Sequence, residues 1–452
     1  MIEHTDRLAQ HVLNTEFDDL SPEAVAAAKT FFLDTLGVGI AGSVASYAKE
    51  VMAVATAWGA QANKMATCWG SGVKLPASAA AYVNAYQIHC QEFDCVHEPA
   101  VVHPLATIMS ALMAEAEASG NISGKEFITA MAVAVDIAAG LGVATLSPIR
   151  FFRPATAGVF GATAGIAKLR QFTEQQLKDA WGYALAQAAG TMQAHVEGKP
   201  TLPLQIANAS RAAHIACDLA GAGIPGPHDV FTGPFGYLSL FEEEIDFEKG
   251  FGELGQRWRI AEVSHKPFPT GRAAQGGIVA VQQLMQDYSL GAEQLDTLVL
   301  TAPPLINRLV GRPIIDELPV NYARLCFPYL AATTLIKGTV KLEDFSETAR
   351  SNPQCHDLAQ RIRVEDDGST DPAAFTPQIA TATLKDGSQY KARVSHLLGS
   401  PENLLSRDQH IDKFKNCVAS VSDTSVDEVI TRVDALETEP DTGIFARMIT
   451  SK

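Results

Sequence analysis

From Ser21 to about residue 260 the sequence reads as one helix start after another, and beyond Lys266 that texture stops. Ser21, Pro22 and Glu23 supply an N-cap, a proline at the first helical position and an early acid ahead of a helix over Ala24–Leu36. Pro104 opens a second helix, Leu105–Ser119, which Gly120 closes. Ser123 with Glu126, and Thr173 with Gln176, have the spacing of capping boxes, in which each side chain satisfies a free N–H at the helix start. Many of these segments are Ala-rich and apolar on more than one face, which suits the central helices of a large bundle. After Lys266, Leu295–Thr301 and Arg361–Glu365 are β-branched enough to be strands, and Ile379–Leu384, Asp386-Gly387 and Gln389–Val394 read as a hairpin. Helical texture returns over Asp408–Val421 and Val426–Leu436. The expectation is a two-domain chain: a large all-α helical domain over 1–265, completed by 396–452, and a smaller α+β domain over 266–395.

A chain of 452 residues that is 47% hydrophobic can bury a large core. No stretch reads as the roughly 20 consecutive apolar residues of a membrane span, and Met1 to Leu8 mixes charges without an apolar h-region. A cytoplasmic location follows by default. Seven cysteines, an odd number without a secretion signal, read as reduced thiols. The net charge of −16 repels nucleic acid and anionic membranes, so neither is expected as a partner. An anionic substrate would need a local positive pocket, which makes every Arg, Lys or His in an apolar or Gly-rich setting informative.

Several familiar signatures fail on context. Gly37, Gly39 and Gly42 fit G-x-G-x-x-G, but a capped helix precedes them where a dinucleotide fingerprint needs a strand; close helix packing is the better reading. His89, Cys90, Cys95, His97 and His103 are metal-ligand types in one short segment, but no C-x-x-C pair closes a site, so no metal is expected. Walker A, G-x-S-x-G and H-E-x-x-H sequences are absent, which argues against phosphoryl transfer, serine hydrolysis and zinc proteolysis.

Polar residues concentrate in five otherwise apolar segments: Glu92 through His97 to Pro104, Arg150 to Gly158, Glu197 to Arg211, His265 to Gln275, and Asn321 to Arg324. Acid–base chemistry beside a carboxylate requires cations to hold the carboxylates and a group that moves a proton. His103, Arg153, Lys266 and Arg272 are of those types. Each also has a structural reading. A histidine before a proline is commonly a helix-start residue, the arginines can tie loop carbonyls together, and Lys266 can sit in an extended turn.

The same segments resemble the MmgE/PrpD family over about Glu23 to Ala446. Leu33-Asp34-Thr35-Leu36-Gly37-Val38 with Ala41-Gly42-Ser43 is similar to its opening helix, and Glu92-Phe93-Asp94 with His103-Pro104 to its Asp-rich loop. Thr156 to Ala162, Pro203-Leu204-Gln205 with Asn208-Ala209 and Arg211, Lys266-Pro267-Phe268-Pro269, and Tyr322-Ala323-Arg324 through Tyr329 resemble later family segments. The resemblance implies a helical domain completed by the C-terminus plus an α+β domain, a homodimer, a site in the cleft between domains, and no obligatory cofactor. It also implies a lyase, dehydratase or decarboxylase, acting on a small di- or tricarboxylic acid. An epimerase or isomerase of a dicarboxylate, or a non-catalytic polycarboxylate binder, is the alternative. On this basis His103, Asp94, Glu92, Lys266 and Tyr322 are the expected catalytic residues, and Arg153, Arg272, Gln205, His97 and Gln275 are expected to contact substrate. The chain departs from the family pattern at Arg153, Gln205 and Gln275, where histidines are usual, at Leu202 for a lysine, and at Cys95 for an aspartate.

Overall fold

The computed structural model describes residues 2–57, 64–419 and 426–448. The capping signals act where the sequence places them. Ser21 Oγ accepts from the Ala24 amide at 3.2 Å and starts Pro22–Gly42, while both capping boxes close, at Gly124–Val143 and Glu174–Gln187. Pro104–Ser119 ends at Gly120, whose φ of +68° is in the range a glycine adopts at no steric cost.

The helix Pro22–Gly42 runs six residues beyond the expected Leu36, straight through Gly37 and Gly39 to Gly42. A Cβ on Gly42 would lie 1.8 Å from the Gln87 carbonyl oxygen, and one on Gly39 would lie 2.6 Å from the Trp69 ring. The glycines therefore set how closely this helix approaches Ala77–His89.

Apolar residues of these helices merge into one core with Thr201–Gly221 and Gly158–Leu169, and the C-terminal segments join it through Phe414, Val429, Ile430 and Phe445. Arg407–Val418 and Val426–Asp434 are helical; Val421, the expected end of the former, lies outside the described residues. Pro22–Gly42 and Gly124–Val143 are long and apolar enough to cross a membrane by length and composition. Some 72% and 94% of those windows are buried inside the fold, so their apolarity builds the core.

Besides a short hairpin, Met65–Thr67 (β1) with Lys74–Pro76 (β2), the strands form one sheet of Leu295–Ala302 (β3), Ile362–Asp366 (β4), Gln378–Leu384 (β5) and Gln389–Val394 (β6). Its order is β4-β3-β5-β6, with β3 parallel to β4 and the other pairs antiparallel. Side chains of β5 alternate between buried and half-buried, the period of a strand with one face on a core. That core is a second cluster, built with the helices Arg272–Tyr288 and Phe327–Lys337, and Ile149 reaches it from the helical part.

Candidate active site

The helix Ala77–His89 and the helix Pro104–Ser119 are joined by a loop that carries Glu92, Asp94 and His103. Two short antiparallel bridges, His97 with Val102 and Val96 with Ser264, fold the loop on itself and fasten it to the strand of chain leading into Lys266. Glu92 has a φ of +52°, a left-handed conformation that costs a non-glycine residue energy and that the surrounding contacts must hold.

Lys266 is fully buried, and its Nζ donates to both the Glu92 carbonyl (3.1 Å) and Glu92 Oε2 (3.0 Å). Burial alone would raise the Glu92 pKa; Lys266, then His89 and His103, outweigh it and bring it to about 2. Glu92 is thus a carboxylate with its countercharge beneath it. Asp94, also fully buried, stands well below the carboxylate range because His89 and His103 outweigh the burial that would raise it.

An ionised Asp94 can only accept hydrogen bonds, so both imidazoles direct Nδ1–H at it, from 3.1 Å for His89 and 3.0 Å for His103. The rings meet edge to face, with centroids 4.7 Å apart. Their pKa values part. Burial lowers that of His89, but Asp94 and Glu92 prevail and raise it; His103 is lowered, by burial and by Lys266 against the pull of Asp94. The same buried cluster therefore makes His89 the more easily protonated ring and His103 the less easily protonated one. His103 lines the cleft, and its hydrogen bond to Asp94 runs through Nδ1, leaving Nε2 on the other side of the ring.

That cleft lies between the two hydrophobic cores. Glu92, His103, His195 and Arg272 are its charged or titratable lining, and the rest is mainly apolar, including Phe152, Met192, Leu309 and Phe375. Arg272 is anchored from three sides: Nε to Glu98 (2.7 Å), and Nη1 to the carbonyls of His265 (2.9 Å) and Leu398 (2.8 Å) and to Gln275 Oε1 (3.1 Å). Its Nη2 is buried and has no partner among the described residues.

The remaining expected residues are placed elsewhere. Arg153 is buried, its Nε and Nη2 donating to Glu242 (3.0 and 3.2 Å) and Nη2 also to the Ser147 carbonyl, away from the cleft lining. Gln205 pairs through both side-chain atoms with the backbone of Thr191. His97 is fully buried, bonded to Glu262 (2.9 Å) and to the Ala100 amide. Gln275 fixes Arg272 and the Phe268 carbonyl, one step behind the cleft wall. The Tyr322 hydroxyl donates to the Pro313 carbonyl at 2.8 Å, and its ring lies under Arg312.

His195 was missed. The polar segment read as beginning at Glu197 starts two residues earlier, with a histidine between Gly190 and Gly198. Its pKa falls to about 4 through burial and the nearby charge of Arg312. Arg324, on the opposite flank, donates to the Cys90 carbonyl at 2.6 Å and so holds the end of the helix from which the loop departs.

As to metals, His89, Asp94 and His103 have ligand atoms within 4.8 Å of one another. Their Nδ1-to-oxygen separations are those of hydrogen bonds, which engage both rings. Cys90 and Cys95 add no thiolate: burial pushes the first to about 12 and the second well above the usual range.

Residues 6–249 match the MmgE/PrpD N-terminal domain and residues 268–438 the MmgE/PrpD C-terminal domain. The chain belongs to the MmgE/PrpD family. Among its relatives, cis-aconitate decarboxylase of Mus musculus is 25% identical over 98% of this chain and 93% of its own length. That of Homo sapiens is 25% identical over 98% and 94%, and that of Aspergillus terreus (strain NIH 2624 / FGSC A1156) 23% over 96% and 93%. In this chain His103 is bonded to Asp94, whereas Arg153 and Gln205 are engaged by Glu242 and by the backbone of Thr191.

Proposed function

We propose that this member of the MmgE/PrpD family is a cofactor-independent lyase that removes CO2 from a small unsaturated di- or tricarboxylic acid, with His103 as the proton-transferring group. The observation that carries the reading is a cleft holding His103, oriented by Asp94, beside a buried and unpartnered Arg272 Nη2. Arg272 anchors a carboxylate of the substrate through a charge-assisted bond. The C–C bond to the departing carboxylate breaks, its electron pair shifts through the neighbouring alkene, and the far carbon takes one proton from the His103 imidazolium. Asp94 keeps that ring in one orientation and stabilises its charged form, as the carboxylate partner of a catalytic histidine does. Glu92 and its Lys266 set the local charge without needing to leave their ion pair.

Decarboxylation is favoured over dehydration because relatives named cis-aconitate decarboxylase align with nearly the whole chain. A homodimer and a cytoplasmic location belong to the same reading; light scattering of the purified chain tests the first. The experiment for the activity is incubation with cis-aconitate, citrate and malate in deuterated water, followed by NMR. Release of CO2 with deuterium at one carbon supports the reading, and His103→Gln should reduce it by about 10²-fold or more. An alkene formed by loss of water assigns the dehydratase instead, and an inverted stereocentre the epimerase. A ligand bound but returned unchanged assigns a binder.

A further inference from the structure

His195 has no assigned role, yet it forms part of the same cleft as His103 and Arg272. It sits in the short helix Gln193–Glu197, which Gly198 closes in a left-handed conformation, φ +63°. Arg312 fixes it from behind. Nη2 of Arg312 reaches His195 Nδ1 at 3.3 Å and the His195 carbonyl at 3.1 Å, so the ring is held by side chain and backbone together. A guanidinium has only donors, so the Nδ1 that faces it must present a lone pair. The single proton of the ring is therefore on Nε2, the ring atom that Arg312 does not contact.

We infer that His195 is a neutral hydrogen-bond donor whose Nε2–H binds the substrate oxygen on which negative charge collects as the electron pair shifts. This rests on the lyase reading above and extends it to a second wall of the cleft. The two histidines are set for opposite work. His103 directs its N–H at Asp94 and keeps Nε2 open for a proton in transit. His195 directs its lone pair at Arg312 and keeps Nε2–H for donation. A neutral imidazole donates to a developing oxyanion without surrendering its proton, because it is a far weaker acid than an imidazolium, and the positive Arg312 behind it disfavours that imidazolium. Preorganised donors of this kind act in the transition state more than in the ground state.

The test combines kinetics with tautomer-sensitive ¹⁵N NMR of the histidines in the full chain. His195→Ala should lower kcat for cis-aconitate roughly 10²-fold while KM stays within about threefold, and His195→Gln, which restores an N–H donor, should recover much of the loss. In the wild type, His195 should carry its proton on Nε2, and that signal should move when the saturated analogue tricarballylate is added. His195→Ala with kcat within about twofold of wild type, a loss confined to KM, or a proton found on Nδ1 would overturn the inference. If the wild type turns over no acid at all, the lyase reading fails by itself. The tricarballylate response still decides for His195, because an unmoved Nε2 signal excludes it as a ligand donor.

Discussion

Oδ2 of Asp94 lies 3.0 Å from Nδ1 of His103, and the same carboxylate also accepts from His89 at 3.1 Å. One buried anion thus fixes the tautomers of two imidazoles, and Glu92 adds its charge on the His89 side, with Oε1 3.5 Å from Nε2. Asp94→Asn keeps the shape but replaces an acceptor-only group with an amide that can turn its NH2 towards either ring. The expected outcome is a fall in kcat of roughly 10³-fold or more, by the logic of a triad carboxylate. Turnover of cis-aconitate is measured beside a thermal melt to establish that the variant is folded. Near-wild-type turnover would remove Asp94 from the mechanism.

The pH dependence separates the two lyase chemistries. The His103 pKa is lowered from its ordinary value, by burial first, so the neutral ring dominates near pH 7. A decarboxylation that needs the imidazolium as donor therefore gains activity as pH falls towards that pKa and loses it as pH rises. A dehydration that begins with proton abstraction by neutral His103 has the opposite limb. The profile of kcat/KM between pH 5 and 9 reads the sign, and the limb disappears in His103→Gln.

What the sequence disclosed and what it withheld divide along the range of the interaction. Caps, the Asp386-Gly387 hairpin and the switch to strands after Lys266 are local, set by residues three or four apart, and they appear where the pattern puts them. The loop from Glu92 to His103 was also readable, because its polar residues stand together in apolar sequence. Partner choice was not. Arg153 and Glu242 are far apart in sequence, as are Lys266 and Glu92, and only packing decides whether a cation meets a buried glutamate or stays open for substrate. Arg153 and Arg272 look alike as residues. Nε and Nη2 of the first are engaged by Glu242 and Ser147, whereas Nη2 of the second is buried without a partner among the described residues. His195 escaped for the reverse reason: its role depends on Arg312, which nothing near it in sequence announces.

Away from the cleft, Glu115 gives a prediction about stability. It is fully buried and paired with Arg170 through both oxygens, at 2.9 and 2.8 Å. Burial would raise its pKa, but Arg170 and His214 bring it to about 2. A carboxyl lowered in the fold stabilises above its unfolded value near 4.3, and that contribution is lost as pH falls from about 5 towards 2. Arg170→Met leaves the carboxylate without its main partner and should cost about 3–5 kcal/mol at pH 7. Because the unpaired carboxyl then protonates readily, the deficit should shrink at pH 4.5. Urea unfolding of both proteins at the two pH values reads the sign; a deficit independent of pH would refute it.

Lys413 ties the far C-terminal segment to the loop of Glu92 and Asp94. It belongs to the helix Arg407–Val418, is buried, and donates to the carbonyl of Phe93 at 2.9 Å while pairing with Asp34 Oδ1 at 2.6 Å. Phe93 stands between Glu92 and Asp94, so this one ammonium holds the peptide that aims both carboxylates, and it also lies 4.1 Å from the Phe93 ring centroid. Lys413→Met removes the donor and leaves Asp34 buried without its cation; burial already raises the Asp34 pKa, so that carboxyl can take up a proton, and the loss of stability should be smaller than for Arg170→Met, together with a fall in kcat. The two effects separate in the double variant Asp34→Asn with Lys413→Met. It removes the stranded charge and should regain most of the stability, yet kcat should stay low because the Phe93 carbonyl is still unheld. If kcat returned together with the melting temperature, Lys413 would matter only for folding, and the loop would keep its geometry without the C-terminal helix.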